Sequence, residues 1–539
     1  MKKVTLFYLF LILFLTVFTI SFNYVEGDDA STILYHLVGR DLNLQEPYAK
    51  YNSGFDYLLS FIDNNSEDKL KKFAYIVSFS FSVAILFLFV LLFNKISLIK
   101  NQKLNYSFFI FLPLIMPEIL FNSLVINSSN ISYFFSILAL LFFLKSLTSK
   151  YLLSYLNIYF LFSIICFAIA IPFRWSIIMF LPMFFCFHYF LFNHNLIKIV
   201  KINLIHITIS LLIGLLLINL TGYTLEDFIN TIIWGKKYSD GKEVSFLGFF
   251  ATGLAFLSPI VIILLILGIV KFIFIEKFTL NKIFLFFIPL IPFCILGFFP
   301  SYKFIFPIIP LVIYLLYIGY DHIFRSYKNL TLIFMILGVF SMWFIGIEID
   351  NKQYAYGTSF CFKSKKEITE DYSSTDSKKS FCLDFNGGTY MPTLEGGRPL
   401  FGFFYVFKNQ WKNTVINQQL VLDSIVKSLD SDNSLKIIQD RKTAFLQSTF
   451  YKYGYKTQMK FKDFNDELIY RDFYKKNKLI RLYVIKDNTK RSRIQIAHEL
   501  LSSNEKVIFR SSYTSLIRDV YNENNIGKNF WDVFTLTNF

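Results

Sequence analysis

Through the first 350 positions apolar residues come in blocks of about 20, the length at which an α-helix crosses the hydrocarbon core of a bilayer. The blocks fall near 4–22, 73–93, 104–125, 131–148, 152–171, 175–192, 203–221, 247–274, 283–299, 304–319 and 329–347, about eleven in all. No other feature restricts the fold as strongly, because backbone facing lipid must satisfy its own hydrogen bonds, and a helix does so. Composition agrees: 54% of the 539 residues are hydrophobic, 20% are aromatic and only 17% are charged. Such values exclude disorder, collagen, coiled coil and a disulfide-dense scaffold. The expected architecture is a polytopic α-helical membrane domain over residues 1–348, with a first outer loop at 23–72, and a C-terminal extracytoplasmic α/β domain over 349–539.

The net charge of +16 follows the same plan. A basic chain can bind nucleic acid, but no recognition motif accompanies these cations, and no nucleic-acid partner is expected. They lie instead in short links between apolar blocks, as the positive-inside rule requires. Eleven spans that start in the cytoplasm put Lys95/Lys100/Lys103, Lys145/Lys150, Lys198/Lys201, Lys271/Lys277/Lys282 and Arg325/Lys328 on the cytoplasmic side. The acids Glu26, Asp28, Asp29, Asp41, Glu46, Glu226 and Asp227 then fall outside. Lys2 and Lys3 precede an apolar run too long for a signal-peptide core, with no small-residue cleavage site, so the first span reads as an uncleaved anchor. A multi-pass inner (plasma) membrane protein with a periplasmic or extracellular C-terminal domain is the expected outcome. Pro113, Pro117, Pro172 and Pro182 are expected to break helices inside their blocks.

The outer domain opens with loop texture to about Lys412, then shows helical texture at 415–429 and 490–502 and strand texture at 479–485 and 505–510. Cys166, Cys186 and Cys294 fall in apolar blocks and read as small hydrophobes. Cys361 and Cys382 lie outside, where thiols oxidise; a disulfide between them would close a loop of about 20 residues and contribute ~3 kcal/mol.

Chemistry is expected where the exceptions to this plan sit. Asp28 and Asp29 stand a few residues beyond the first span. Two compatible readings fit them: a cap on the helix that Ala30 to Gly39 would form, or a general base for an acceptor hydroxyl at the membrane surface. His36 follows about two turns later, and the loop as a whole suggests an element lying in the interface plane. Arg174 occupies a short outer turn, Ile171 to Trp175. Pro117-Glu118 marks another outer turn, and Phe299 to Pro307 a third that carries Tyr302 and Lys303. Arg174 and Lys303 either snorkel to headgroups as ordinary flanking cations or hold a phosphate by charge-assisted bonds. Lys236, near Trp234 in the loop at 222–246, could contact sugar or carrier, although an aromatic belt explains the tryptophan equally well.

An acidic pair directly after the first transmembrane helix, followed by an interfacial helix in the first outer loop, resembles the GT-C glycosyltransferases. The resemblance covers roughly residues 1–320 and departs at its second acid, where the family usually has Glu and this chain has Asp29. It implies transfer of a sugar from a polyprenyl-phosphate carrier to a hydroxyl of a glycan, lipid or protein on the outer face. It also implies Asp28 as base with Asp29 as its partner, and substrate contacts from His36, Glu118, Arg174, Lys236, Tyr302 and Lys303. No cofactor is assigned with it, and a divalent cation is the candidate. His188, His194, His206 and His322 show no metal-ligand spacing, and no Walker or Gly-x-Gly-x-x-Gly pattern supplies an engine for ATP-driven transport. The competing expectation is a transporter, flippase or glycan polymerase handling the same lipid-linked sugars; duplicated halves and broken helices with intramembrane charge near the midplane would mark a transporter, and the sequence shows neither an obvious duplication nor mid-span charges.

Overall fold

The computed structural model describes residues 2–22, 53–59, 61, 67–116, 128–149, 157–192, 194–221, 224, 226, 229, 259–275, 287–292 and 306–344. Beyond these it describes 359–361, 382–384, 434–439, 455–456, 462–465, 467–485, 507–510 and 533–536. The chain divides into two compact units, a helical one and one built on a mixed β-sheet.

The helical unit contains α1 (Lys2–Phe22), α2 (Ser53–Leu59), α3 (Glu67–Ile99), α4 (Ser107–Ile115), α5 (Ser129–Leu147), α6 (Ile158–Phe173), α7 (Leu181–Leu191), α8 (Leu196–Leu220), α9 (Pro259–Val270), α10 (Ile309–Ser326) and α11 (Lys328–Phe344). Among the described residues four stretches are helices long and apolar enough to cross a membrane: Phe73–Ile99, Ser129–Leu147, Leu196–Leu220 and Phe306–Ser326. Shorter apolar helices run beside them. Prolines account for part of the shortening. Pro113 lies inside α4, which ends two residues later, and Pro182 divides the block at 175–192 into a 3-10 turn, Trp175–Phe180, and α7. Side-chain caps set two starts: Asn157 Oδ1 accepts from the Tyr159 amide at 3.1 Å, and Asn195 Oδ1 from the Lys198 amide at 2.9 Å.

Interhelical hydrogen bonds fix how these helices run. Asn130 donates to Ser78 Oγ (2.9 Å) at one end of α5, and Lys95 Nζ to Thr148 Oγ1 (2.7 Å) at the other, so α3 and α5 are parallel. Ser78 and Lys95 lie about 26 Å apart along α3, close to one hydrocarbon thickness. Along α6, Ser132 donates to Ala170 O (2.8 Å), Ser163 to Ala139 O (2.8 Å) and Asn157 to Ser146 O (3.2 Å), which sets α6 antiparallel to α5. Small hydroxyl residues bring the backbones close, and each such bond contributes about 1 kcal/mol in a bilayer. Ser163 meets His206 and Ile171 meets Gly214, so α8 runs parallel to α6. Every one of these directions agrees with the expected alternation.

One block departs from it. Gly268 of α9 lies against Leu315 of α10, Leu264 against Gly319, and Phe272 against Tyr314 (6.3 Å between ring centroids). These contacts order α9 and α10 antiparallel, whereas strict alternation has the blocks at 247–274 and 304–319 running the same way. The physical reason is that α9 starts at Pro259, part-way along a block of continuous apolar residues. A hydropathy run does not show where its helix begins. Lys271 therefore leaves α9 in the direction opposite to the one its link was assigned.

The second unit carries a six-stranded sheet in the order β4-β5-β6-β3-β7-β8, from β3 (Ser434–Gln439), β4 (Lys462–Asn465), β5 (Leu468–Lys475), β6 (Lys478–Ile485), β7 (Val507–Arg510) and β8 (Val533–Leu536). β3 pairs in parallel with both β6 and β7, and the remaining neighbours are antiparallel. β6 and β7 coincide with the strands expected at 479–485 and 505–510, while the helices expected at 415–429 and 490–502 lie outside the described residues. Phe473, Ile480 and Leu482 are buried on one face of the sheet, and Leu468 and Tyr483 on the other. Across the β5–β6 pair Arg481 grips Asp472 through Nε (2.6 Å) and Nη2 (2.8 Å) and lies 4.6 Å over the Tyr470 ring. Two further short strands, β1 (Ser359–Cys361) and β2 (Cys382–Asp384), pair with each other.

Candidate functional site

Arg174 stands between the last residue of α6 and the 3-10 turn, with an extended backbone that ends one helix and opens the next. Only 1% of it is exposed. Nε donates to Ser176 Oγ at 2.8 Å, and Nη1 donates to Ser129 Oγ at the first residue of α5. A guanidinium buried this deeply needs such partners, since desolvating a charge costs several kcal/mol. Ser128, Ser129, Asn130 and Ser132 are all buried here, so a cluster of polar side chains sits at the N-terminal end of α5, the end with positive dipole character.

Two other elements meet at this end. Gly54 of α2 packs on Pro172 and Phe173, where a Cβ would lie 3.0 Å from Pro172 Cβ. That contact carries the short helix of the loop at 23–72 to the residues just before Arg174. Tyr133, one turn into α5, stacks on Phe306 (3.7 Å between centroids, 13° between planes). The 3-10 turn Trp175–Phe180 also touches Phe306–Ile308. The Arg174 turn and the end of the Phe299 to Pro307 segment thus converge, as their shared side in the sequence required. Asp28, Asp29, His36, Glu118, Lys236, Tyr302 and Lys303 lie outside the described residues. Cys361 and Cys382 occupy the paired strands β1 and β2.

A second polar cluster was not evident from the sequence. His188 of α7 is wholly buried, and its Nδ1 faces Asn203 Nδ2 at 3.0 Å. With Asn203 donating there, His188 Nε2 donates to His194 Nδ1 across 2.9 Å. Deeper along α8, His206 Nε2 meets Ser163 Oγ at 2.7 Å inside a cage of Phe143, Phe160, Phe167 and Phe184. Histidines six to eighteen residues apart carry no recognisable spacing. Asn203 and His206, polar residues one turn apart inside an apolar block, were the available signal. Outside the spans, His194 is held below the usual imidazole value by burial first and by the Lys198 charge second. Among the described residues no group of three or more His, Cys, Asp or Glu is arranged to hold a metal ion.

No family model, curated protein or solved structure matches the chain.

Proposed function

We propose that this chain is a membrane glycosyltransferase that moves a sugar from a polyprenyl-phosphate carrier to an acceptor hydroxyl on the outer face. The observation that carries the proposal is Arg174: a buried cation among serine hydroxyls, at the α5 end opposite Lys95 and Lys145, where two turns and α2 meet. An anionic phosphate at membrane depth needs fixed cationic and hydroxyl donors to hold it and to stabilise it as a leaving group. In this scheme Asp28 removes the acceptor proton, the acceptor oxygen bonds to the anomeric carbon, and the bond to the carrier phosphate breaks with inversion. Asp29 positions Asp28, while Lys303 supplies a second cation. The Arg174 end faces outward, the lysine-rich end faces the cytoplasm, and the α/β domain receives the acceptor outside.

The test is turnover of labelled polyprenyl-phosphate sugar by purified protein supplied with a cell-envelope acceptor fraction. Arg174→Gln should remove carrier release, and Arg174→Lys should restore part of it, because an ammonium keeps the charge and loses the two-pronged geometry. Full activity in a folded Arg174→Gln protein overturns the assignment. A transporter of the same lipid-linked sugar is the second reading, favoured by the His188–Asn203 and Ser163–His206 bonds inside the helical unit. It requires the donor to cross the bilayer with no bond broken.

A further inference from the structure

The opposite end of α5 holds a feature that sugar transfer does not use. Lys95 of α3 and Lys145 of α5, both half-buried, approach the same helix terminus. Lys95 Nζ donates to Thr148 Oγ1 at 2.7 Å, and that hydroxyl donates to the Lys145 carbonyl at 2.8 Å. The Lys145 ammonium rests 5.4 Å from the Phe142 ring and 5.8 Å from the Tyr159 ring, and the two lysine charges repel each other. Among the described residues no carboxylate pairs with either lysine. The terminus of α5 offers about half a negative charge, against two full positive ones. The fold therefore brings like charges from two helices together, and among the described residues most of their charge is uncompensated.

We infer that Lys95, Lys145 and Thr148 form a binding site for a phosphate ester, and that its occupant is the headgroup of an anionic phospholipid. Position favours the lipid over a free anion. Lys95 lies about 26 Å along α3 from the Ser78–Asn130 bond, so a helix crossing the bilayer carries it to headgroup level. Two ammonium groups and a hydroxyl supply charge-assisted donors to phosphate oxygens, while the Phe142 and Tyr159 rings stand where glycerol and upper acyl carbons would lie. Basic pockets between transmembrane helices are suited to this chemistry. The inference is independent of the activity proposed for the Arg174 end.

The experiment measures phosphatidylglycerol and phosphatidylcholine retained by the full-length protein in detergent, using native mass spectrometry. Wild type should retain phosphatidylglycerol preferentially. The double variant Lys95→Gln/Lys145→Gln should lose about thirtyfold in that affinity, the contribution of two lysines near a charged surface. Removing two exposed lysines, Lys201→Gln/Lys328→Gln, should change it less than twofold. Equal losses in both double variants, with unchanged thermal unfolding, would assign the effect to net charge and overturn the site. Displacement of the lipid by inorganic phosphate, but not by sulfate at matched ionic strength, would assign the pocket to a free anion and overturn the lipid assignment. No preference in the wild type overturns both.

Discussion

The crossing of α9 and α10 allows a prediction worked from distances alone. A methyl group added at Gly268 would lie 1.9 Å from the Leu315 carbonyl oxygen, and one at Gly319 would lie 2.0 Å from the Leu264 oxygen. Ordinary heavy-atom contact begins near 3.5 Å, so either alanine forces the helices apart by at least ~1 Å. The obstacles are backbone atoms, which have no alternative rotamer. Overpacking costs about 3 kcal/mol at the upper end of its usual range, and alanine returns about 1 kcal/mol in helix propensity. Gly268→Ala should therefore destabilise the helical unit by about 2 kcal/mol. Gly268→Ala/Gly319→Ala should lose clearly less than twice that, because the first methyl already opens the gap that the second needs. Gly214→Ala is the control: its nearest neighbour is Ile171 Cδ1 at 2.5 Å, the movable end of a side chain, and it should stay within ~0.5 kcal/mol of wild type. Unfolding in mixed micelles, followed by circular dichroism over a denaturing-detergent titration, reads all three. Wild-type stability in Gly268→Ala, or full additivity in the double variant, would refute the close crossing.

Other consequences are open to separate tests. His194, hard to protonate in the folded chain, makes stability fall on acidification: it is complete above the unfolded imidazole value of about 6.5 and declines as pH drops below it, because the unfolded chain takes up the proton first. His194→Gln should flatten that part of the stability–pH profile measured by thermal unfolding; an unchanged slope would exclude His194 as its source. In the sheet, the hydrogen bonds that Arg481 donates to Asp472 hold its guanidinium protonated still more firmly than usual. Arg481→Lys should cost about 0.5–1 kcal/mol through loss of the fork and of the Tyr470 contact, read by chemical denaturation, and a neutral result would count against the pair. Cys361 and Cys382 should resist alkylation in the denatured, unreduced protein and react after reduction; two reactive thiols before reduction would remove the disulfide.

Much of the helical frame could be read from residue texture. The blocks at 73–93, 131–148, 203–221 and 304–319 each became a helix long enough to span, and Arg174 sits at the turn its flanking Pro172 and Trp175 marked. Length and hydropathy report that a segment is apolar, however, not which way it runs. The reversed direction of α9 depends on Pro259 and on Gly268 meeting Gly319, which is tertiary information. Ser176 is a local partner of Arg174 two residues on, whereas Ser129, 45 residues from it, became its partner only through the α5–α6 packing. The His188–Asn203 bond was hidden for the same reason. In the sheet, β6 and β7 were legible as short apolar runs. β3 and β5 were not, because Lys436, Arg471 and Asp472 interrupt their alternation.

The most direct measurement of the central claim is a mass balance on the reaction itself. Purified protein is incubated with polyprenyl-phosphate sugar labelled in both halves, together with an acceptor fraction. Sugar joined to an acceptor hydroxyl and free polyprenyl phosphate should appear in equal amounts, and both should vanish in Asp28→Asn and Arg174→Gln proteins that insert and fold normally. Donor carried intact across a vesicle membrane, with no polyprenyl phosphate released, would contradict the transferase and establish the transporter.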